Sequence, residues 1–289
     1  MSIGKWLDRT SVLKVAAAWL LVIGAWEGAY RVVGWKPWVF PAPSHVLDAT
    51  LSLLHVRTAF GDAVGPGWPW PADAPPPTRA GSWLSSPLPG AIAISALRLA
   101  VGFVSALALG GALGLAMWRY RFVDAFFGPL FLGFQTLPSV CWVPLAILVL
   151  GINEAAILFV LLMGSFFAVA LALRDGLRQI PPVYKNAGMM LGARRWRLYW
   201  HVLLPAGMPA LAGSLRSGFS FAWRSLMGAE LIFMLQRRGL GFLLNAGREF
   251  ADIAQVVAIM LLMVLIGMLV DQVLFARIER RIRTRFGLA

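Results

Sequence analysis

Residues 154–173 read EAAILFVLLMGSFFAVALAL, with a single charge, Glu154, at the very start. A helix needs about 20 predominantly apolar residues to cross the hydrocarbon core of a bilayer. This stretch has that length and no polar face to turn toward water, so lipid and other apolar helices must be its solvent. Working outward, the segments 12–34, 90–117, 123–150, 206–234 and 253–276 have the same character. With six such segments, an all-α polytopic membrane protein with six transmembrane helices is expected, because a helix satisfies its own backbone groups within hydrocarbon. Only Gly151, Ile152 and Asn153 separate the third segment from the fourth, so a tight turn must join them. Pro129, Pro138 and Pro144 interrupt the third segment, which predicts a kinked or partly re-entrant path there.

The bulk composition agrees. Of 289 residues 59% are hydrophobic and 13% charged, with a mean hydropathy of +0.74, where soluble domains carry about 25% charged residues. The net charge of +13 raises the question of nucleic acid. The basic residues, however, sit in short clusters between apolar runs, as membrane topology requires, and no nucleic-acid partner is expected. The one cysteine, Cys141, excludes an intramolecular disulfide and reads as a small buried packing residue. His45, His55 and His201 are too scattered for a metal site. Met1 to Lys14 followed by apolar residues imitates a secretory signal. The run from Val15 to Val33 is longer than a signal core, and no small-x-small site follows it, so a retained first span is expected.

Charge at the span ends sets the orientation. With the N-terminus inside, the inner segments carry 16 of the 26 Lys and Arg residues and the outer segments 6, the other four lying within spans. Both termini are therefore expected in the cytoplasm of a bacterial inner (plasma) membrane. The chain divides accordingly into residues 1–34, the N-terminus and first helix; 35–89, a periplasmic segment; 90–276, a core of five helices; and 277–289, a basic cytoplasmic tail facing anionic lipid. Residues 35–89 hold 11 of the 18 prolines, including Pro75–Pro76–Pro77 and the run Trp68–Pro69–Trp70–Pro71, which suits an irregular segment. Within it, Pro43–Ser44 followed by Val46, Leu47, Leu51, Leu53 and Leu54 reads as a capped amphipathic helix at the membrane surface. The tryptophans read either as interfacial anchors or as a docking surface for an external partner.

Catalytic signatures are absent. A phosphate cradle needs G-x-x-x-x-G-K-[ST], yet Lys5, Lys14, Lys36 and Lys185 are followed by Trp, Val, Pro and Asn. There is no His-Glu-x-x-His helix and no Gly-x-Ser-x-Gly elbow either. A non-enzymatic transport protein is expected, energised by a partner chain or by an ion gradient.

Charges within spans mark functional sites by default. Glu27 and Arg31 lie four apart and pair on one helix face. Arg98 sits in the second span; Arg216 and Arg224 lie eight apart in the fifth, with Glu230 toward its outer end. Two readings stand side by side. One is a structural ion pair between helices, such as Arg98 with Glu230; the other places Arg224 and Arg216, with Glu230 and Arg98, along a path for an anionic solute.

The loop 174–204 carries the most specific pattern. Asn186-Ala187-Gly188, three residues, Gly192, nine residues, then Val202-Leu203-Leu204-Pro205 resembles the cytoplasmic motif of binding-protein-dependent ABC importer permeases. That motif reads Glu-Ala-Ala, three residues, Gly, nine residues, Ile-x-Leu-Pro; here Asn186 replaces the Glu and Gly188 the second Ala. Pro41-Ala42-Pro43-Ser44, Ser95-Ala96-Leu97-Arg98 with Gly102-Phe103, and Gly228-Ala229-Glu230 followed by Gly239-Leu240-Gly241 resemble signatures of the nitrate/sulfonate/taurine branch. Residues 56–86 look like an insertion.

The resemblance implies the type I ABC importer permease fold, a coupling helix at about 182–200, and a homodimer of permeases. Two cytoplasmic ABC ATPase subunits would hold the ATP and magnesium, with no cofactor on this chain. A periplasmic or lipid-anchored solute-binding protein would deliver a small anion such as nitrate, a sulfonate, taurine or bicarbonate. Asn186, Ala187, Gly188 and Gly192 carry over as ATPase-coupling residues, with Val202, Leu204 and Pro205 fixing the helix exit. A gradient-driven transporter or channel, and a permease for amino acids or phosphonates, are the alternatives.

Overall fold

The computed structural model describes residues 9–36, 39–54, 87–194, 196–233 and 238–285. The proline- and tryptophan-rich stretch at 56–86 lies outside the described residues. All regular elements described are helical. They are α1 (Arg9–Val33), α2 (Pro43–Leu53), α3 (Pro87–Arg119), α4 (Arg121–Thr136), a 3₁₀ turn (Ser139–Trp142) and α5 (Val143–Leu150). Then come α6 (Glu154–Arg178), α7 (Pro182–Met190), α8 (Trp196–Leu198), a π turn (Tyr199–Leu203) and α9 (Leu204–Ile232). α10 (Leu240–Glu249), α11 (Ile253–Val270), a second π turn (Asp271–Phe275) and α12 (Ala276–Arg285) complete the chain.

Among the described residues, three helical stretches are long and apolar enough to cross a membrane: Leu88–Arg119, Glu154–Arg178 and Ile253–Ile282. The pair Arg121–Thr136 and Ser139–Leu150 makes a fourth if counted as one broken span. The expected count of six is thus reached only in part. Helices stand where the first and fifth spans were expected, at 25 and 29 residues. α9 carries Arg216, Arg224 and Glu230 among serines and glycines, which lowers its apolar character.

The expected interruption of the third span is a bend of 101°. Pro138 forces Leu137 into extended backbone, at φ −70° and ψ 126°, and so ends α4. Pro144 then sits within the first turn of α5, where its missing N–H costs nothing. The tight turn that follows is set by Gly151, at φ 77°, and by Asn153. The Asn153 side chain accepts from the Ala156 N–H at 3.0 Å and donates to the Leu150 carbonyl at 2.5 Å. That is an N-cap joined to a C-cap through one residue.

The chain forms two compact units. In the first, residues 1–90 and 243–262, the Trp26 indole donates to the Pro41 carbonyl at 3.2 Å and the Tyr30 and His45 rings meet edge to face. Glu27 pairs with Arg31 at 2.9 Å. α2 starts otherwise than its sequence indicates. The Ser44 hydroxyl turns to the Glu27 carboxylate at 3.3 Å, and Nδ1 of His45 accepts from the Ala42 N–H instead.

In the second unit, residues 91–242 and 263–289, α6 and α9 are the principal pair. Leu99 of α3, Ile157, Val160 and Leu161 of α6, and Phe219, Ala222 and Leu226 of α9 form its core. Phe131, Phe134, Trp142 and Phe167 make a second, aromatic cluster between α4 and α6. α3 lies against α6 through glycines. A Cβ on Gly114 would stand 2.5 Å from the Ala170 carbonyl oxygen, and one on Gly110 would stand 2.7 Å from that of Phe166. Lipid offers no hydrophobic drive between helices, so backbone proximity at small residues must supply the attraction.

Gly114→Leu is accordingly expected to cost about 1–3 kcal/mol by overpacking. Thermal unfolding of the purified protein in mild detergent checks this, and an unshifted melt would contradict the close α3–α6 approach.

Candidate functional site

The most buried charges belong to three segments. Ser95 and Arg98 lie one turn apart on α3, and Glu230 lies near the C-terminal end of α9; the third segment is Gly239-Leu240-Gly241 at the start of α10. Ser95, Arg98 and Glu230 are 1%, 6% and 2% exposed. The Glu230 carboxylate accepts from Arg98 at 2.7 Å, from the Ser95 hydroxyl at 2.7 Å and from the Gly241 N–H at 3.1 Å. Ser95 Oγ in turn accepts from the Leu240 N–H at 2.9 Å. The guanidinium grips Glu154, at the start of α6, with two parallel bonds of 2.8 and 2.6 Å. Such charge-assisted, bidentate geometry offsets the large cost of taking ions out of water.

The glycines beside Glu230 are necessary to this arrangement. A Cβ on Gly239 would collide with both carboxylate oxygens, and one on Gly241 would stand 2.5 Å from Cβ of Glu230. Of the residues considered for an anion path, Arg98 and Glu230 are thus partners of one another. Arg216 is also engaged, holding Asp271 through two bonds of 2.6 and 2.5 Å and reaching Glu279 at 3.5 Å.

Arg224 is placed differently. Its Nε donates to the Ser220 carbonyl one turn back at 3.1 Å, and its guanidinium carbon lies 4.7 Å from the centre of the Phe221 ring. Among the described residues no carboxylate pairs with it. It borders a cavity of about 270 Å³ at the α4–α5 break.

The loop motif forms a second centre. α7 opens on Pro182 and ends in a Schellman cap. The Gly192 N–H donates to the Met189 carbonyl at 3.0 Å and the Ala193 N–H to that of Gly188 at 2.9 Å. Gly192 has φ +81° and open space where a Cβ would stand, so backbone conformation and not crowding selects glycine there. The helix therefore ends at Met190, short of the expected 200. Gly188 is the buried residue of α7, and a Cβ on it would stand 2.8 Å from Leu198 and 3.1 Å from Val202. Asn186 and Ala187 are exposed, as are Met190 and Leu191, at 88% and 89%.

The π turn at Tyr199–Leu203 has a local cause. Pro205 has no N–H to give His201, and its ring crowds that carbonyl, so the Leu204 N–H reaches back to Tyr199 instead. Leu204 and Pro205 then open α9, half-buried with Val202 beside them.

Sequence reasoning missed the partners Glu154 and Asp271. Both stand at helix ends or turns, where a charge has an easy solvated explanation. Matching charges by their depth along neighbouring spans would have found Glu154, since it opens its span as Arg98 nears the start of its own. Ser95 is visible only as part of a resemblance until its two hydrogen bonds are seen.

The model of one protein family, described as the binding-protein-dependent transport system inner membrane component, matches residues 87–284. The chain belongs to that family. A probable ABC transporter permease protein of Brucella melitensis is 30% identical over 68% of this chain and 79% of its own length. The taurine transport system permease protein TauC of Escherichia coli is 29% identical over 68% and 70%. The nitrate import permease protein NrtB of Synechocystis is 26% identical over 62% and 64%. An inward-facing structure of the MetNI methionine ABC transporter superposes with a TM-score of 0.55 at 19% identity, covering 68% of this chain and 95% of the other. It is the fold that these two share. The permease is thus a membrane-embedded component whose family relies on a separate ATPase subunit, and the gradient-driven alternative falls away.

Removing one partner of a buried ion pair costs about 3–5 kcal/mol. Glu230→Ala should therefore lower the melting temperature and yield of the permease sharply. Arg224→Leu, which breaks no ion pair, should change stability by less than about 0.5 kcal/mol. Melting curves of the two variants side by side check this, and equal losses would count against the division between them.

Proposed function

We propose that this permease forms the translocation pathway of an ABC importer for a small anionic solute. It would cross the bacterial inner membrane six times as one of two identical copies, with both termini in the cytoplasm. Two cytoplasmic ABC ATPases bind ATP and magnesium and drive it, and an external solute-binding protein, periplasmic or lipid-anchored, supplies it. The core 90–276 carries the pathway and the basic tail 277–289 anchors to anionic lipid.

The observation that carries this reading is the seating of α7 on the entry to α9. Gly188 lets α7 press on Leu198 and Val202, and the cap at Gly192 turns the chain back between them. Asn186, Ala187, Met190 and Leu191 face outward as a docking knob. A push on this knob is delivered to the turn that leads through Leu204 and Pro205 into α9, the helix that carries Arg224. Motion of docked ATPases would in this way reach the pathway.

The solute class rests on two supports. The nitrate and taurine permeases are among the relatives, and Arg224 brings a positive charge without a carboxylate partner among the described residues. Arg98, Glu230 and Arg216 act beside the path as ties between helices, and Arg224 as its contact with solute.

Affinity purification of the permease, expressed with its genomic neighbours in mild detergent, tests the reading. A stoichiometric nucleotide-binding subunit with ATPase activity is expected. Gly188→Leu should lose that subunit, and Gly192→Val should retain less than about a fifth of the uptake, since a β-branched residue strains the left-handed backbone by about 1–2 kcal/mol. Recovery of the permease alone, or normal uptake with both variants, would sink the proposal.

A further inference from the structure

The break between α4 and α5 opens on the cavity that Arg224 borders, and its walls have a definite chemistry. Gln135 and Ser139 come from either side of the break, Gly164 from α6, and Arg224 and Ser225 from α9. Among the described residues Arg224 is the only charged side chain on its lining. Two of the last carbonyls of α4 are turned to internal donors: Gly133 accepts from the Thr136 hydroxyl at 2.6 Å and Phe134 from the Leu137 N–H at 3.2 Å.

Ser225 supplies a second, independent sign. It is 2% exposed, yet among the described residues its hydroxyl has no hydrogen-bond partner, and it faces the cavity. What little of Ser225 is exposed opens on the void, so its hydroxyl is free to bond to something that enters there. Ser139, on the opposite wall, likewise has no partner among the described residues. Gly164 is what brings the two serines together. A Cβ there would collide with Ser225 Oγ and stand 2.9 Å from Cβ of Ser139.

We propose that this cavity is the solute-binding site within the membrane. It takes a small oxyanion of one negative charge, with Arg224 as counter-charge and Ser139 and Ser225 as hydroxyl donors. At about 270 Å³ the space holds an ion of the bulk of nitrate or a two-carbon sulfonate. The Leu137–Pro138 break creates the space, since a straight helix would carry its own side chains through it. The inference deepens the importer reading and rests on it for the direction of transport, but the site itself can be tested without transport.

The test uses the permease–ATPase complex carrying Cys141→Ala and Ser139→Cys, which leaves one thiol in the cavity. Its modification rates are compared for two methanethiosulfonates of similar size, the anionic sulfonatoethyl and the cationic trimethylammonioethyl reagent. Relative to their rates with a free thiol in solution, the anionic reagent should be favoured about tenfold by the neighbouring positive charge. Arg224→Gln in the same background should abolish the preference, and sodium ethanesulfonate or sodium nitrate should slow the anionic reagent. A rate ratio equal to that with a free thiol in solution, no reaction with either reagent, or a preference that survives Arg224→Gln would overturn the site. Gln135→Cys serves the same comparison if Ser139→Cys is not recovered. Co-purification of the ATPase in the same preparations reports separately on the importer reading.

Discussion

A guanidinium held between two carboxylates in an apolar bundle is the constraint on which this molecule depends. Arg98 is almost fully buried, with Glu230 at 2.7 Å and Glu154 at 2.6 Å. In packed protein neither Arg98 nor Glu230 is tolerable alone, while Glu154, its side chain 39% exposed, reaches Arg98 from the rim. Their pairing therefore fixes α3, α6 and α9 against one another more tightly than apolar side chains facing lipid could. The Gly239-Leu240-Gly241 segment is drawn in with them. The Ser95 hydroxyl meets the Leu240 N–H, the Glu230 carboxylate meets the Gly241 N–H, and no side chain larger than hydrogen fits at either glycine.

With three helices tied at that end, the remaining features of the second unit become functional in character. Arg216 joins α9 to the turn after α11 through Asp271. Between that tie and the Arg98 cluster, α9 carries Arg224 without a carboxylate partner among the described residues. In the function proposed above, that charge is the one offered to the solute. The prolines of the third span serve the same end: by breaking the helix at Leu137–Pro138 they leave room beside α6 and α9 that a continuous helix would fill.

The connection from outside to this region is short. α7 contacts the entry of α9 at Gly188, and the π turn before Pro205 marks the point where one helix runs into the next. A π turn is a packing compromise, with one bond reaching five residues back in place of four, and such turns commonly sit at functional positions. Force applied at the exposed Met190 and Leu191 thus has a rigid route into α9 through two contacts that a single methyl group would alter.

The sequence by itself determined the class of protein, its helical content and the order of its helices. Those depend on local composition, and a run such as residues 154–173 has no other stable form in lipid. It also determined the turn at Gly151 and the break at Pro138, because these residues act on their own backbone, whereas the end of α7 at Met190 came only from the structure. Which charges are ties and which is available was decided only in three dimensions. Arg98, Arg216 and Arg224 are equivalent in sequence, each an arginine within an apolar run. Their partners lie 132, 55 and 56 positions distant, at Glu230 and Asp271 and, for Arg98 again, at Glu154. No local pattern encodes a separation of that kind. The same holds for the cavity, whose two serines face one another across a glycine on a third helix. Close packing is a property of pairs of helices, so only the tertiary structure could reveal it.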